Sequence, residues 1–224
     1  MLDCVDILDT KNIRKDANIL ILGKRGCGKS KLATSLIKQI FDFNDHNKGL
    51  VFSFYEKFSG YYFNALPDVK IKNDMNTITY HEMLNEENYF VIFDECFVKD
   101  QSYYFEQCLE NKNQLNIFIC TYPKQINKQE FQKFDYIFTF NETNQYDLKI
   151  IYNNIFNQIE NFELFNIIFD KCTENFSTLV KSKRDNKYYW YNSNMDGSKK
   201  ILYECPKENV MNIERKNNKY CAII

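Results

Sequence analysis

One eight-residue stretch constrains the fold of this chain more than any other feature. Residues 23–30 read Gly-Lys-Arg-Gly-Cys-Gly-Lys-Ser, which fits the P-loop pattern of Gly, four free positions, Gly-Lys, and then Ser or Thr. The apolar run of residues 18–22 before the loop predicts a buried strand, and apolar residues at helical spacing over 32–41 predict a helix after it. A strand, a glycine-rich turn and a helix are the context in which this motif holds phosphate. The sequence therefore predicts a nucleotide-binding α/β domain.

The residue types of the loop suit a nucleotide bound with a metal ion. Glycines let backbone N–H groups point inward around a phosphate, and the helix N-terminus adds its positive end. We expect Lys29 to reach the β- and γ-phosphates and Ser30 to ligate Mg²⁺. The predicted cofactors are ATP and Mg²⁺. The predicted cofactor-binding set is the loop and the residue after it: Gly23, Lys24, Arg25, Gly26, Cys27, Gly28, Lys29, Ser30 and Lys31.

Two adjacent carboxylates form the second strong signal. Residues 88–95 are an apolar run that ends in Asp94 and Glu95. We expect Asp94 to hold Mg²⁺, usually through water, and Glu95 to orient and deprotonate the attacking water. The next predicted strand ends at Thr121, whose hydroxyl either donates to the γ-phosphate or the lytic water, or only caps the strand. The predicted catalytic residues are Lys29, Glu95 and Thr121, and the predicted metal ligands are Ser30 and Asp94.

The order of elements indicates the fold class. Strand patterns alternate with helical stretches, which predicts an α/β fold with a mostly parallel sheet that is flanked by helices. These strand patterns cover residues 18–22, 49–54, 88–95, 115–121 and 134–140. Residues 177–180 and 188–191 predict a C-terminal β-hairpin at the sheet edge, after helical residues 143–174. We assign residues 1–192 to one ATPase domain and 193–224 to a polar, flexible tail.

Composition excludes several classes of protein. The 224 residues are 44% hydrophobic, which suffices for one sizeable α/β domain. Because the net charge is −1, any nucleic-acid contact must come from a local patch. The eight cysteines lack paired zinc-ligand spacing, so we interpret them as reduced thiols. We expect no transmembrane segment and no signal peptide, since the apolar runs are short and the N-terminus lacks a basic segment followed by an apolar one.

Two further features concern arginine and the C-terminus. Oligomeric ATPases often need a cation from a neighbouring subunit. Arg25 and Arg184 are the candidates, and Lys124, Lys128 and Lys133 offer a substitute.

Cys221, followed by Ala-Ile-Ile, fits the prenylation pattern, but Ile is not a usual final residue, so we favour a coincidental match.

These motifs together resemble the viral DNA-packaging ATPases of poxviruses, other nucleocytoplasmic large DNA viruses and virophages, a branch of the FtsK–HerA superfamily of P-loop ATPases. The resemblance covers roughly residues 17–192. It rests on residues 21–30, 90–95, 116–122 and 138–143. It implies a RecA-like domain that assembles into a homo-oligomeric ring, by resemblance a hexamer, and drives double-stranded DNA into a preformed capsid. Capsid proteins would then be further partners, and the virion or the host cytoplasm the location.

Two departures from the family pattern keep other functions open. The family usually has Gln where this chain has Cys120-Thr121, and commonly an Arg before the fifth strand, where this chain has Lys128 and Lys133. A nucleotide-binding switch without hydrolysis and a small P-loop kinase are therefore the alternatives, although the Asp-Glu pair disfavours a kinase. The candidates for DNA contact in a motor are Lys57, Lys181, Lys183, Arg184 and Lys187.

Overall fold

A single sheet organises the residues that the computed structural model describes, namely 5–41, 48–66, 69–73, 89–95, 102–110 and 113–192. Within these residues the sheet has nine strands in the order β1-β9-β8-β7-β2-β6-β5-β3-β4. Their bounds are β1 Asp6–Ile7, β2 Asn18–Leu22, β3 Gly49–Ser53, β4 Lys70–Lys72, β5 Phe90–Asp94, β6 Leu115–Cys120, β7 Tyr136–Thr139, β8 Ser177–Ser182 and β9 Tyr188–Asn192.

Helices cover both faces of the sheet. They are α1 Lys29–Ile40, α2 Glu56–Ser59, α3 Tyr61–Ala65, α4 Ser102–Glu110, α5 Lys128–Phe131, α6 Gln145–Asn154 and α7 Phe162–Cys172. Apolar side chains of α1 and α3 pack on one face, and those of α4 to α7 pack on the other. The predicted fold class is confirmed, because strand β8 alone among the described strands runs antiparallel to its neighbours.

The central strands are buried on both faces. Along β2, Ile19 and Ile21 face the helix α1 side, and Leu20 and Leu22 face the opposite side. On that opposite side the rings of Phe52, Phe93 and Phe118 stack across three strands, with centroids 5.2 and 4.8 Å apart. Such stacks of fully buried rings add to the apolar burial that stabilises the sheet and hold the strands in register.

The strand order decides which side chains meet at the end of the sheet. Strand β6 lies between β2, which leads into the P-loop, and β5, which ends in Asp94. All three strands are parallel, so their carboxyl ends lie at the same end of the sheet. Thr121, directly after β6, therefore lies between the P-loop and the two carboxylates.

A neutral polar network occupies the other end of the same strands. Asn18 Nδ2 donates to the carbonyl of Leu109 at 2.7 Å, and Asn116 Nδ2 donates to Asn18 Oδ1 at 2.9 Å. Asn116 Nδ2 also reaches the carbonyl of Cys108 at 2.8 Å, and Gln114 donates to Asn116 Oδ1 at 2.8 Å. Both asparagines are fully buried. The network ties helix α4 to the amino ends of β2 and β6.

The structure corrects two sequence-based expectations. The hairpin β8–β9 forms, but it is not the sheet edge, because β1 pairs with β9 in parallel through Asp6 and Tyr189. Residues 56–77, which the sequence indicates only as a polar, aromatic-rich connection between strands, contain α2, α3 and the edge strand β4. The predicted tail 193–224, with Cys221, lies outside the described residues. Among the helices described, none is long and apolar enough to cross a membrane.

Candidate nucleotide-binding site

The P-loop joins β2 to α1 along a path that excludes side chains at two glycines. Gly28, immediately before α1, has φ 100°, a left-handed conformation that favours glycine. A Cβ at Gly23 would lie 2.6 Å from Cys27 Sγ and 2.7 Å from Phe140 Cβ, closer than atoms can approach. The loop thus needs glycine at both ends. The geometry leaves backbone N–H groups beside the first turn of α1, as an anion site requires.

Lys29 is held across the mouth of this loop. Its side chain is 7% exposed, and Nζ donates to the carbonyl oxygens of Gly23 at 2.8 Å and Lys24 at 3.1 Å. The same nitrogen donates to Thr121 Oγ1 at 2.9 Å and lies 3.2 Å from Glu95 Oε1. The structure therefore brings all three predicted catalytic side chains into contact.

Ser30 and Asp94 form an oxygen-rich pair beside Lys29. Ser30 Oγ donates to Asp94 Oδ2 at 2.9 Å, and the buried hydroxyl of Tyr62 donates to the same oxygen at 2.7 Å. Burial raises the pKa of Asp94, while the hydrogen bonds from Tyr62 and Ser30 oppose that rise. A hydroxyl and a carboxylate at a helix N-terminus are the hard oxygen donors that Mg²⁺ prefers beside phosphates. These two residues fit a magnesium ion.

Glu95 reaches Thr121 because the chain turns sharply at the end of β5. Glu95 has φ 58°, unusual for a residue with a side chain, and its N–H donates to the carbonyl of Ile119 at 3.1 Å. The N–H of Thr121 donates to Glu95 Oε2 at 3.2 Å, and its hydroxyl donates to Oε1. Left-handed backbone of this kind concentrates at functional sites. The turn places the carboxylate over the end of β6.

The other polar side chains of the loop contact protein. Lys24 Nζ lies 3.1 Å from Oε1 of Glu142, a buried carboxylate, and also donates to Thr143. Arg25 donates to the hydroxyl of Tyr55, and its guanidinium carbon lies 4.9 Å from the centroid of that ring. These two residues can serve a nucleotide through their backbone N–H groups. Lys31 is exposed on α1.

Cys27 does not have the surroundings of a reactive thiolate. Burial raises the pKa of its thiol, and the nearby Lys29 only partly opposes that rise. Within the described residues, the thiols of Cys27, Cys108, Cys120 and Cys172 form no disulfide bond. The described residues hold no group of three or more metal-ligating His, Cys, Asp or Glu side chains.

The candidate cations fall at two ends of the molecule. Lys183 and Arg184 directly follow β8. The last residue of β8 pairs with Tyr136 at the start of β7, so both cations lie at the amino ends of the parallel strands. There they line a cavity of about 260 Å³ with Arg14 and Asp135. Lys133, before β7, pairs with Glu106 at 3.6 Å. These cations lie at the opposite end of the strands from the P-loop, whereas Lys124 lies near Tyr122 on the P-loop side.

Sequence reasoning missed two residues of this site, Tyr62 and Glu142. Tyr62 belongs to a run rich in aromatic residues, and the sequence does not indicate which of these rings is buried. Glu142 accepts from the N–H groups of Thr143 and Asn144, each at 2.7 Å, and its contact with Lys24 spans distant parts of the chain.

Comparisons with known proteins agree with this fold. A family model described as the viral superfamily 1 RNA helicase core domain matches residues 19–217. The genome packaging NTPase B204 of Sulfolobus turreted icosahedral virus 2, solved with AMPPCP, has a TM-score of 0.57 at 12% identity, over 80% of this chain and 99% of that chain. The conjugation coupling protein TcpA of pCW3 has a TM-score of 0.53 at 11% identity, over 78% and 59%. EssC of Geobacillus thermodenitrificans has a TM-score of 0.50 at 16% identity, over 89% and 43%. No curated protein matches the sequence.

The match over most of the chain shows that the protein belongs to the viral superfamily 1 RNA helicase core domain family. Family and fold place it among the P-loop NTPases, and the predicted resemblance to viral packaging ATPases is confirmed at the level of the fold.

Proposed function

We propose that this protein is a Mg²⁺-dependent ATPase that moves double-stranded DNA, as in packaging a viral genome into a capsid. The observation that carries the proposal is the group of side-chain contacts at the carboxyl ends of β2, β5 and β6. Lys29 and Ser30 lie at the start of α1, while Glu95 and Asp94 face them at 3.2 and 2.9 Å. A cation for phosphate, a hydroxyl for metal and a carboxylate for water are the parts that phosphoryl transfer requires.

Each side chain has a defined task in this proposal. Lys29 binds the β- and γ-phosphates, and Ser30 and Asp94 hold Mg²⁺, which would neutralise charge on the phosphate oxygens. Glu95 accepts the proton of the attacking water. Its carboxylate is oriented by the N–H and hydroxyl of Thr121. Thr121 also binds Lys29 at 2.9 Å, so it can relay a change at the γ-phosphate to Glu95.

The motor part of the proposal rests on the class of similar folds and on the placement of cations. The NTPase B204 is described as a genome packaging enzyme and TcpA as a coupling protein of conjugation. Arg184 and Lys183 lie at the amino ends of the parallel strands, opposite the P-loop. In a homo-oligomeric ring, a hexamer by resemblance, one subunit could present these cations to the nucleotide of its neighbour. Capsid proteins would be further partners, in a virion or host cytoplasm.

Phosphate release, measured over a range of protein concentrations with and without duplex DNA, tests this proposal. A ring-forming motor should hydrolyse more ATP per subunit as protein concentration rises, and more again when duplex DNA is added. A strictly monomeric protein with turnover independent of DNA would contradict the motor. Nucleotide binding with no turnover would instead favour the switch.

The family match favours a second candidate, NTP-driven unwinding of a nucleic-acid duplex. The same protein should then separate a fluorescently labelled strand from a tailed duplex when ATP is added. A packaging motor advances along the duplex and leaves the two strands paired. Strand separation and duplex-stimulated turnover, measured on one preparation, therefore distinguish the two.

A further inference from the structure

The connection between α7 and β8 has an unusual backbone. Asn175 and Phe176 have φ angles of 53° and 61°, a left-handed conformation that is strained for a bulky side chain such as phenylalanine. Within the described ranges, no other two adjacent residues with side chains share this conformation. Strain of this kind concentrates at ligand-binding and active sites, where the surrounding structure maintains it. The segment therefore calls for a role beyond joining a helix to a strand.

The left-handed turn holds the ring of Phe176 in solvent beside the P-loop. The residue is 61% exposed, yet a Cβ placed on Gly28 would lie 4.0 Å from Phe176 Cδ1, at van der Waals distance. Phe140 approaches the same position at 4.0 Å, but it is buried and packs from the core side. A single exposed ring is common on protein surfaces. This one also has a strained backbone and touches the phosphate loop, so its exposed surface faces a ligand bound there.

Hydrogen bonds from neighbouring parts of the sheet fix this turn. Asn192 in β9 donates to the carbonyl oxygen of Asn175 at 3.4 Å and to Ser177 Oγ at 2.8 Å. Asn141, just after β7, donates to Thr173 Oγ1 at 3.1 Å. The turn is thus tied to both β7 and β9. A ring held in place before the ligand arrives loses little conformational entropy on binding, which favours affinity.

The strand order indicates which part of a nucleotide would meet the ring. Glu95 and Thr121, the groups proposed to serve the γ-phosphate, follow β5 and β6, on one side of β2. Strands β7 and β8 lie on the other side of β2, and β8 begins at the P-loop end because it is antiparallel to β7. A nucleotide whose terminal phosphate lies at Glu95 therefore extends its ribose and base toward β7 and β8. Phe176 directly precedes β8, two strand spacings or roughly 10 Å from β2.

A phenylalanine ring recognises a base by its face. The ring has no hydrogen-bonding group, so it cannot read the edge of a base, but it can stack on the π-surface of any base. A two-ring purine offers a larger stacking surface than a one-ring pyrimidine, so it gains more from the contact. The neighbouring amides of Asn141 and Asn192 already donate to protein groups. This geometry favours purines and does not select adenine over guanine.

We propose that Phe176 stacks on the base of the bound nucleotide, so that the site takes adenine and guanine nucleotides in preference to pyrimidine nucleotides. The inference rests on the proposed function, because it requires that the P-loop bind a nucleotide. It adds a contact at the end of the nucleotide opposite to Lys29 and Glu95. The left-handed backbone at Phe176 is then maintained because it places the ring against the base.

Isothermal titration calorimetry with ADP and with inorganic pyrophosphate, each with Mg²⁺, tests the stacking contact. Phe176→Ala should bind ADP about 5- to 150-fold more weakly, the range expected for loss of one base–aromatic stack. It should bind pyrophosphate as the parent does, because pyrophosphate has no base. Phe176→Tyr keeps the ring face and should retain parental ADP affinity. Tyr89→Ala, which removes an exposed ring at the amino end of β5, is the control.

Competition against a fluorescent ADP analogue tests the preference for purines. ADP and GDP should displace the analogue from the parent at similar concentrations, and CDP and UDP should require higher ones. In Phe176→Ala this difference between purines and pyrimidines should shrink, since the stacking surface is gone.

Phe176→Gly separates a binding role from a packing role. Glycine adopts the left-handed conformation without strain, so the Tm of the variant should not fall below that of Phe176→Ala, while ADP binding weakens equally in both. A ring retained for packing would instead lower the Tm in both variants and leave ADP affinity at the parental value.

Three results would overturn the inference. One is parental ADP affinity in Phe176→Ala, and another is an equal loss of ADP and pyrophosphate affinity, which would mean that the ring only shapes the P-loop. The third is CDP that competes as well as ADP in the parent, which would remove the purine preference. A parent that binds neither ADP nor pyrophosphate would contradict the proposed function itself, and the inference with it.

Discussion

Strands β2 and β6 carry a buried polar cluster at each end, and the two clusters differ in charge. At the amino end, Asn18 and Asn116 join neutral amides to backbone carbonyls of α4. At the carboxyl end, Lys29, Glu95 and Asp94 place a cation and two carboxylates within a few ångströms of one another. Both clusters lie at the ends of strands that are otherwise apolar.

The difference shows how the two kinds of cluster serve a fold. Neutral amides whose hydrogen bonds are made cost little to bury, so they can hold register and anchor a helix. Buried charges keep a desolvation cost even when paired. Lys29 and Asp94 are therefore better placed for a charged ligand than for stability. We expect changes at the carboxyl end to alter chemistry and changes at the amino end to alter stability.

Glu95→Gln should show the largest effect. The amide keeps its size and can still accept from Thr121, but it cannot take a proton from water. Turnover should fall on the order of 10²–10⁴-fold, while a fluorescent ATP analogue still binds. Phosphate release by Glu160→Gln, an exposed change in the loop between α6 and α7, should match the parent. Normal turnover in Glu95→Gln would refute the assignment of the base.

Lys29→Ala should weaken nucleotide binding. Loss of one charged hydrogen-bond donor costs about 1.5–3 kcal/mol, which is roughly a 10- to 150-fold increase in Kd. Equilibrium titration with a fluorescent ATP analogue measures it, and Lys38→Ala, exposed on the same helix, is the control. If both variants bind alike, the P-loop lysine does not contact the nucleotide.

Asn116→Leu should lower the free energy of unfolding and spare the nucleotide site. The change leaves Asn18 Oδ1 and the carbonyl of Cys108 without this donor, at a cost of about 1–3 kcal/mol. Urea titration followed by Trp190 fluorescence measures the loss. Asn153→Leu, on the exposed side of α6, should change stability by about 0.5 kcal/mol or less. A nucleotide Kd altered as much as the stability would contradict the division between the two ends.

Asp94→Asn should produce the smallest effect, one that depends on pH. Burial raises the pKa of Asp94 above its ordinary 3.8, so the folded protein binds that proton more tightly than the unfolded chain does. The stability from this proton is full below 3.8 and is lost as pH rises through the folded-state pKa. The asparagine variant cannot ionise and can still accept from Ser30 and Tyr62. Its Tm should therefore exceed the parent's by more at pH 7.5 than at pH 4; a constant difference would argue against this charge as the cause.

Local patterns predicted most of the fold. The buried strands read as apolar runs, and the P-loop and helix α1 followed from glycine and helical spacing. Strand β4, three residues long, and β1, two residues long, are too short to show a period and exist because the sheet offers them a partner. Local patterns do not predict the burial of Tyr62 either. Its neighbours Tyr61 and Phe63 are also aromatic, yet both are less buried.

The sequence by itself determined the phosphate loop, the acidic strand end and the alternation of strands and helices, because each depends on residues that are neighbours in the chain. The tertiary structure alone decided that β6 lies between β2 and β5, which puts Thr121 in contact with both Lys29 and Glu95. It also turned Tyr62 toward Asp94 and left the next ring, Phe63, exposed. These contacts join residues from 26 to 92 positions apart. They are settled by the burial of the whole sheet, which no local pattern records.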